Sequence, residues 1–303
     1  MANGLPRDVG IRIFLNLYLT NSYSCMIALV CNPRAGKGSA SSILRRICNI
    51  LDRQNQSYSI FDKNWPEGFK GFDALWLIGG DGTLNHFINK YPKINLPIAL
   101  FKGGSGNDFA WKLYGNMDLE IYAELALHGN PKPVDLGICN DRYFLNGVGI
   151  GFDAEVVKTM GEKRILPGHL AYLLTVIQKI FFYREIDLEI KSGDFERSGK
   201  LFMISLANGS RYGGGFLVAP QASVSDSELD IVLIRRISPW KRILHLPKVS
   251  AGSHLKLPFV EQFREKEICI RASTQVYAHL DGELIRSNSF DIQLSPWKIL
   301  FYY

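Results

Sequence analysis

Ala74-Leu75-Trp76-Leu77-Ile78-Gly79-Gly80-Asp81-Gly82-Thr83-Leu84-Asn85 is the stretch on which the reading of this chain turns. Five apolar residues in a row, with no polar alternation, predict a strand buried on both faces, as in a parallel sheet covered by helices. Three glycines and one acid then separate that strand from a predicted helix over Gly82–Lys90. Glycines at a strand-to-helix turn let the backbone approach a polyanion, and the helix N-terminus offers free N–H groups to it. A carboxylate beside phosphates is unfavourable unless a cation lies between them, so Asp81 points to Mg²⁺. The competing reading is a tight turn in which Asp81 caps its own helix.

Outward from this stretch the same rhythm repeats. Met26–Cys31, Tyr58–Phe61 and Pro97–Phe101 read as further strands, with helices over Ser41–Leu51 and from Asn107 to Tyr114. Strands alternating with helices predict a parallel α/β domain. Beyond about residue 134 the helices thin out. Apart from Asp153–Met160 and the apolar Ala171–Phe182, the runs are strand-like: Tyr143–Val148, Ile186–Ile190, Lys200–Ala207, Leu229–Ile234, Ile268–Ala272, Gln275–Leu280 and Phe290–Leu294. Turn signals between them predict an antiparallel sandwich.

Two more predicted strands of the first half end in glycine-rich loops. Asn32-Pro33-Arg34-Ala35-Gly36-Lys37-Gly38-Ser39 brings glycines and the Lys37 charge, though no G-x-x-x-x-G-K-[ST] is present. Gly36-x-Gly38 also begins like a dinucleotide fingerprint, and Asp62, ending the next strand, keeps that alternative open. Lys102-Gly103-Gly104-Ser105-Gly106-Asn107-Asp108-Phe109 repeats the logic, with Ser105 able to donate to a phosphate and Asn107 and Asp108 able to organise the site or cap the helix. Ligands of open α/β sheets bind beyond the carboxyl ends of the strands, so the three loops should converge. Far downstream, Asp281-Gly282-Glu283 follows a predicted strand, where a lone Asp-Gly is ordinarily a hairpin turn.

The 303 residues include 47% hydrophobic and 21% charged residues, which suits a globular protein with a substantial core. A net charge of +6 favours an anionic partner without choosing one. No nucleic-acid partner is expected. The five cysteines form no CxxC, which argues against a disulfide framework and for a reducing cytosol. The histidines form no HExxH, which disfavours a zinc enzyme. No apolar run reaches the length of a membrane span.

Taken together, Asn32-Pro33 with Gly36, Gly79 to Asn85, Gly104 to Ala110, Gly213-Gly214-Gly215, Ala219-Pro220 and Asp281-Gly282-Glu283 resemble the bacterial diacylglycerol kinase and sphingosine kinase family over about residues 26–300. The resemblance implies a Rossmann-like α/β nucleotide-binding domain followed by a β-sandwich, with ATP and Mg²⁺ in the cleft between them. It implies nucleotide contacts from Asn32, Gly36, Lys37, Gly79, Gly80, Asp81, Gly82, Thr83, Leu84, Asn85, Ser105 and Asn107. Asp81 and Asp135 would belong to the Mg–ATP network, and Glu283 would be the general base. Ser223, Asp226 and Glu228 align with ligands of a second, structural Mg²⁺, although Ser227 replaces the usual glycine. His86 stands where the family has Glu, and Lys102 where it has Pro; Lys102 could add phosphate affinity.

The expected organisation is a peripheral extension over 1–25, a nucleotide-binding α/β domain over 26–134 and a β-sandwich substrate domain over 135–290. Residues 291–303 form a C-terminal segment that could return to the first domain. The expected function is an ATP-dependent lipid kinase acting on the hydroxyl of diacylglycerol or a related lipid. An NAD kinase-like enzyme with a soluble acceptor and a non-catalytic nucleotide-binding regulator are the alternatives. The stretch Ile165–Phe182 could line an acyl-chain cleft, with Lys163, Arg164 and Arg184 toward anionic headgroups. A buried core helix explains that stretch equally well. A cytoplasmic protein in peripheral membrane contact follows, and a homodimer is left open.

Overall fold

The computed structural model describes residues 25–163 and 169–303, without the side chains of residues 162–171. The expected extension, apart from Cys25, therefore lies outside the described residues, as do Arg164 and the Lys163 side chain.

Four parallel strands form the first half: β1 (Ile27–Cys31), β2 (Tyr58–Phe61), β3 (Ala74–Gly79) and β4 (Ile98–Lys102), in the order β4-β3-β1-β2. β1 and β3 are buried at every position, as their unbroken apolar runs require. Their side chains alternate between two cores. Ile27, Leu29, Trp76 and Ile78 pack with Ile47 and Leu51 of α1 (Ser39–Arg53). Ala28, Val30, Leu75 and Leu77 pack with Leu84, Phe87 and Ile88 of α2 (Asp81–Lys90). Each fully buried Leu or Ile contributes about 1.5–3 kcal/mol relative to exposure, so both helices are held flat on the sheet. Two short helices follow, α3 (Asp108–Tyr114) and α4 (Leu119–His128).

The second half is mostly antiparallel. After β5 (Lys132–Cys139), β6 (Arg142–Phe144) and β7 (Gly147–Gly151) come helices α5 (Phe152–Lys163) and α6 (His169–Phe182). Then follow β8 (Ile186–Ser192), β9 (Phe195–Ala207), β10 (Leu229–Arg235), α7 (Pro239–Ser250), β11 (Val260–Glu265), β12 (Glu267–Leu280) and β13 (Glu283–Phe301). β12 pairs with β8 through Cys269–Ala272 and with β7 through Ala278–Leu280, its register shifting between Arg271 and Val276. β9 likewise pairs with β8 along its first half and with β7 and β10 along its second. These strands change partners half way and so close a sandwich around Phe144, Ile204, Ile231, Ile270, Phe290 and their neighbours.

β13 joins the halves. It opens against β12, continues along β5, and at Phe301 lies parallel to Ile98 of β4. Strands of both halves are thus linked in one 13-stranded hydrogen-bonded set. The sequence pattern did not announce β5, which starts in the Pro-rich Pro131–Asp135; its proline sits at the second residue, where a missing N–H does least harm. α7 also went unread, because Trp240 and Leu244 point to solvent and Pro247 interrupts its pattern.

Candidate active site

The three glycine-rich loops lie together at the carboxyl ends of β1, β3 and β4, backbone against backbone. Gly103 N donates to Gly79 O at 2.8 Å. A Cβ on Gly80 would stand 2.7 Å from Gly104 Cα, and one on Gly36 would stand 2.4 Å from Gly103 O, so no side chain fits at these contacts. Gly36 also has φ +56°, a conformation glycine adopts without steric cost. Ser39 Oγ donates to Gly103 O at 3.0 Å and Asn32 Nδ2 donates to Thr83 Oγ1 at 3.1 Å, fastening the first loop to the other two. The N-terminus of α2 begins at Gly80 with no side-chain cap, so its leading N–H groups face the loops as an anion-binding end.

Asp81 is the first residue of α2 but does not cap it. Its Oδ1 accepts from Phe109 N at 3.1 Å, in the first turn of α3. Asp108, which opens α3, is buried beside it. Asp108 Oδ1 takes Arg211 Nε at 2.6 Å and Oδ2 takes Gly214 N at 2.7 Å. Burial, then the nearby Asp81 charge, pushes the Asp108 carboxyl up from 3.8 to about 6, although Arg211 and Gly214 pull it down. The Arg211 guanidinium lies 4.4 Å from the Trp111 ring centroid. The Gly213–Gly215 segment is thereby clamped onto the third loop.

A second clamp crosses between the halves at the β12–β13 hairpin. Asp281 (φ +51°) and Gly282 (φ +93°) form a two-residue turn with both residues left-handed, as a type I′ hairpin requires. The buried Asp281 carboxylate accepts from three successive backbone groups, Leu145 N at 2.8 Å and Asn146 N and Gly147 N at 2.9 Å each, and from Asn85 Nδ2 at 3.2 Å. Burial raises its pKa, opposed by these donors. The turn delivers Glu283 to the first turn of α2, where a Cβ on Gly82 would touch Glu283 Oε1 at 3.4 Å. Gly82, Asn85, His86, Tyr143 and Glu283 border one open cleft.

The other expected site residues divide. Lys37 and Ser105 are exposed on their loops, and Asn107 (φ +53°) closes its loop by bonding Gly104 through both side-chain atoms at 2.8 Å. Leu84 is core, so its side chain offers a nucleotide nothing. Thr83 and Asn85 are buried, with their side chains engaged by Asn32 and by Asp281. Lys102 turns away from the loops: its ammonium donates to Gly115 O and lies 4.5 Å from the Tyr114 ring centroid. Asp135 is buried, and its two oxygens meet Lys298 Nζ and Ser227 N, each at 2.7 Å. Asp226 and Glu228 face Arg264 at 4.0 and 3.6 Å, and Ser223 is half-buried on the same loop. Arg211 had no signal in the sequence; Asp108 and Asp281 were legible as motif letters, without their clamping roles.

A nucleotide-type loop cluster on a parallel sheet, closed by a carboxylate from a following β-sandwich, defines a two-part phosphotransferase. Residues 26–139 match the diacylglycerol kinase catalytic domain, and residues 146–301 match the YegS C-terminal NAD kinase beta sandwich-like domain. A Pseudomonas putida protein named "Probable lipid kinase YegS-like" is 31% identical over 235 residues, 75% of each chain. A Bacillus subtilis "Diacylglycerol kinase" is 28% identical over 218 residues, 70% of this chain and 71% of its own. A crystal structure of "a putative diacylglycerol kinase" from Bacillus anthracis superposes with a TM-score of 0.75 at 22% identity, covering 92% of this chain and 97% of the other, and so shares the fold. The chain belongs to the diacylglycerol kinase and YegS-type lipid kinase family. It is an ATP-dependent phosphotransferase with an alcohol acceptor.

Proposed function

We propose that this enzyme phosphorylates the hydroxyl of diacylglycerol or a related lipid, with Glu283 as general base. The observation that carries the reading is the placement of the Glu283 carboxylate over Gly82, at the open N-terminus of the phosphate-loop helix. The acceptor hydroxyl loses its proton to Glu283 as its oxygen bonds the γ-phosphorus; the bridging P–O bond breaks and ADP leaves. The packed glycines and the N-terminal N–H groups of α2 hold the phosphates, and Lys37 and Ser105 add a charge and a donor from exposed positions.

The residues at Asp81 fit a phosphate-bound Mg²⁺. Burial, and after it the neighbouring Asp81 charge, raises the Asp108 pKa, and a divalent cation at Asp81 would offset the charge of that carboxylate beside the phosphates. Asp81 would hold it, and the cation would supply charge neutralisation to the phosphates. Asp135 would act through the Val224–Ser227 backbone that it orders. A second Mg²⁺ on Ser223, Asp226 and Glu228 fits poorly. Arg264 already faces both Asp226 and Glu228, and Lys298 neutralises Asp135. No step is routed through that position.

A lipid acceptor has support in the second half. Val176 and Ile180 of α6 line an apolar cleft with Phe202, Phe216, Leu246 and Val249. No helix of the described residues is long and apolar enough to cross a membrane. Contact with the bilayer is read as peripheral. Labelled ATP offered with a panel of hydroxyl lipids and with NAD, resolved by thin-layer chromatography, tests the proposal. A labelled phosphatidic acid or related phospholipid is expected; labelled NAD with no labelled lipid would overturn it.

A further inference from the structure

Nine large apolar side chains are exposed among the described residues, and six of them stand on two neighbouring helices. These are Leu174, Ile177, Phe181 and Phe182 on α6 and Trp240 and Leu244 on α7. The other three, Ile60, Ile121 and Trp297, are on three separate elements, as scattered surface residues usually are. Phe182 is 82% exposed and Trp240 74%. Phe181 meets Trp240 edge to face, with centroids 5.4 Å apart, so the six form one patch.

The two helices have a second apolar side. Val176 and Ile180 of α6 and Leu246 and Val249 of α7 face inward and line the apolar cleft. α6 is therefore apolar inward and outward, a pattern that fits burial on both sides. At 14 residues it is about 21 Å long, short of the ~30 Å hydrocarbon core, and has the dimensions of a helix lying in an interface. The charges agree. Neither α6 nor α7 contains Asp or Glu, while Lys241 and Lys248 are exposed on α7, and Arg184 and Arg236 are exposed just beyond α6 and before α7. Glu185, the nearest carboxylate in sequence, is held by Arg242 at 2.5 Å and is mostly buried.

We infer that this α6–α7 face docks on an anionic lipid bilayer, with Phe182 and Trp240 among the acyl chains and the Lys and Arg side chains at the headgroups. Aromatic anchors ringed by cations suit that surface, and Glu155, the carboxylate that shares a pocket with Phe182, is paired with Lys179 of α6 at 2.9 Å. A protein partner, a second copy included, would have to dehydrate lysines that protein interfaces tend to exclude. The inference extends the lipid-kinase reading in one respect: a lipid leaving the bilayer beneath α6 and α7 enters the cleft those helices line. Docking itself is measured without turnover.

The test is flotation with diacylglycerol-free vesicles of phosphatidylcholine, with and without phosphatidylglycerol, at low and high salt. The wild type is compared with Phe182→Ser/Trp240→Ser and Lys241→Glu/Lys248→Glu. The wild type is expected to float with phosphatidylglycerol vesicles and to be released by salt; each double variant should lose at least about tenfold in partitioning. Both variants should retain turnover on short-chain diacylglycerol dissolved as monomers, which also shows that they are folded. Wild-type protein that binds no vesicle, or Phe182→Ser/Trp240→Ser that binds like wild type, overturns the inference. So does a wild-type dimer in sedimentation velocity that this variant dissociates without loss of flotation. Wild type that floats but phosphorylates no monomeric diacylglycerol would sink the proposed function and leave the docking face standing.

Discussion

Replacing Asp281 with Asn removes one charge and almost no volume, and it should break the clamp that aims Glu283. Each carboxylate oxygen accepts two donors: Oδ1 takes Asn146 N and Gly147 N, and Oδ2 takes Leu145 N and Asn85 Nδ2. Whichever oxygen becomes an amide nitrogen, two acceptor bonds vanish and a new donor faces two old ones. Hydrogen bonds to a charged group contribute about 1.5–3 kcal/mol each, so the gross loss is about 3–6 kcal/mol. Part is returned, because the buried carboxylate no longer has to stay ionised against the burial that raises its pKa. A net loss of about 3 kcal/mol remains, a large share of the ~5–15 kcal/mol typical of a folded domain. Backbone strain does not confuse the result, since Asn tolerates the φ of +51° that Asp281 adopts. Urea unfolding should show a lower midpoint with an unchanged slope. Turnover should fall by up to about 100-fold, because a displacement near 1 Å at the base suffices for that, while ATP affinity changes little. An Asp281→Asn protein within about 0.5 kcal/mol of wild type and with normal turnover would refute the clamp.

Three further outcomes are expected. Glu283→Gln keeps the hairpin and should abolish phosphoryl transfer while sparing ATP binding by calorimetry; near-normal turnover would remove the base assignment. Gly80→Ala would place a Cβ 2.7 Å from Gly104 Cα, with no flexible side chain to yield, and should lower both stability by about 1–3 kcal/mol and ATP affinity. Since folding raises the Asp108 carboxyl from 3.8 to about 6, the native state holds that proton more tightly than the unfolded chain. Its stabilising contribution is thus complete below about pH 4 and is lost as the pH rises through about 6, and Asp108→Asn should flatten the stability profile over that window.

The parallel half was readable because its strands are buried on both faces: the runs at Ile27–Cys31 and Ala74–Ile78 are uninterrupted, and each leads into a loop with a glycine, Gly36 or Gly80, whose packing admits no Cβ. The sandwich strands were found mostly as fragments. β12 emerged as two runs because its bulge between Arg271 and Val276 breaks the alternation where the strand changes partners. Arg211 was invisible, since an arginine among small residues carries no periodic signal; its bond to Asp108 exists only because Gly214 comes to rest against α3. Lys102 misled for the converse reason. A lysine beside a glycine loop looks like a phosphate ligand until the fold supplies Gly115 O and the Tyr114 ring on the other side.

By itself the sequence determined the two architectures, the glycine loops and the acids that matter, because backbone burial and tight turns leave local, ordered traces. Only the tertiary structure decided what those acids do. Asp81 caps a neighbouring helix, Asp281 gathers four donors from two segments, and Glu283 reaches Gly82 across about two hundred residues of chain. Such contacts are set by where β12 and β13 turn relative to α2, and no local pattern encodes a meeting between residues so far apart.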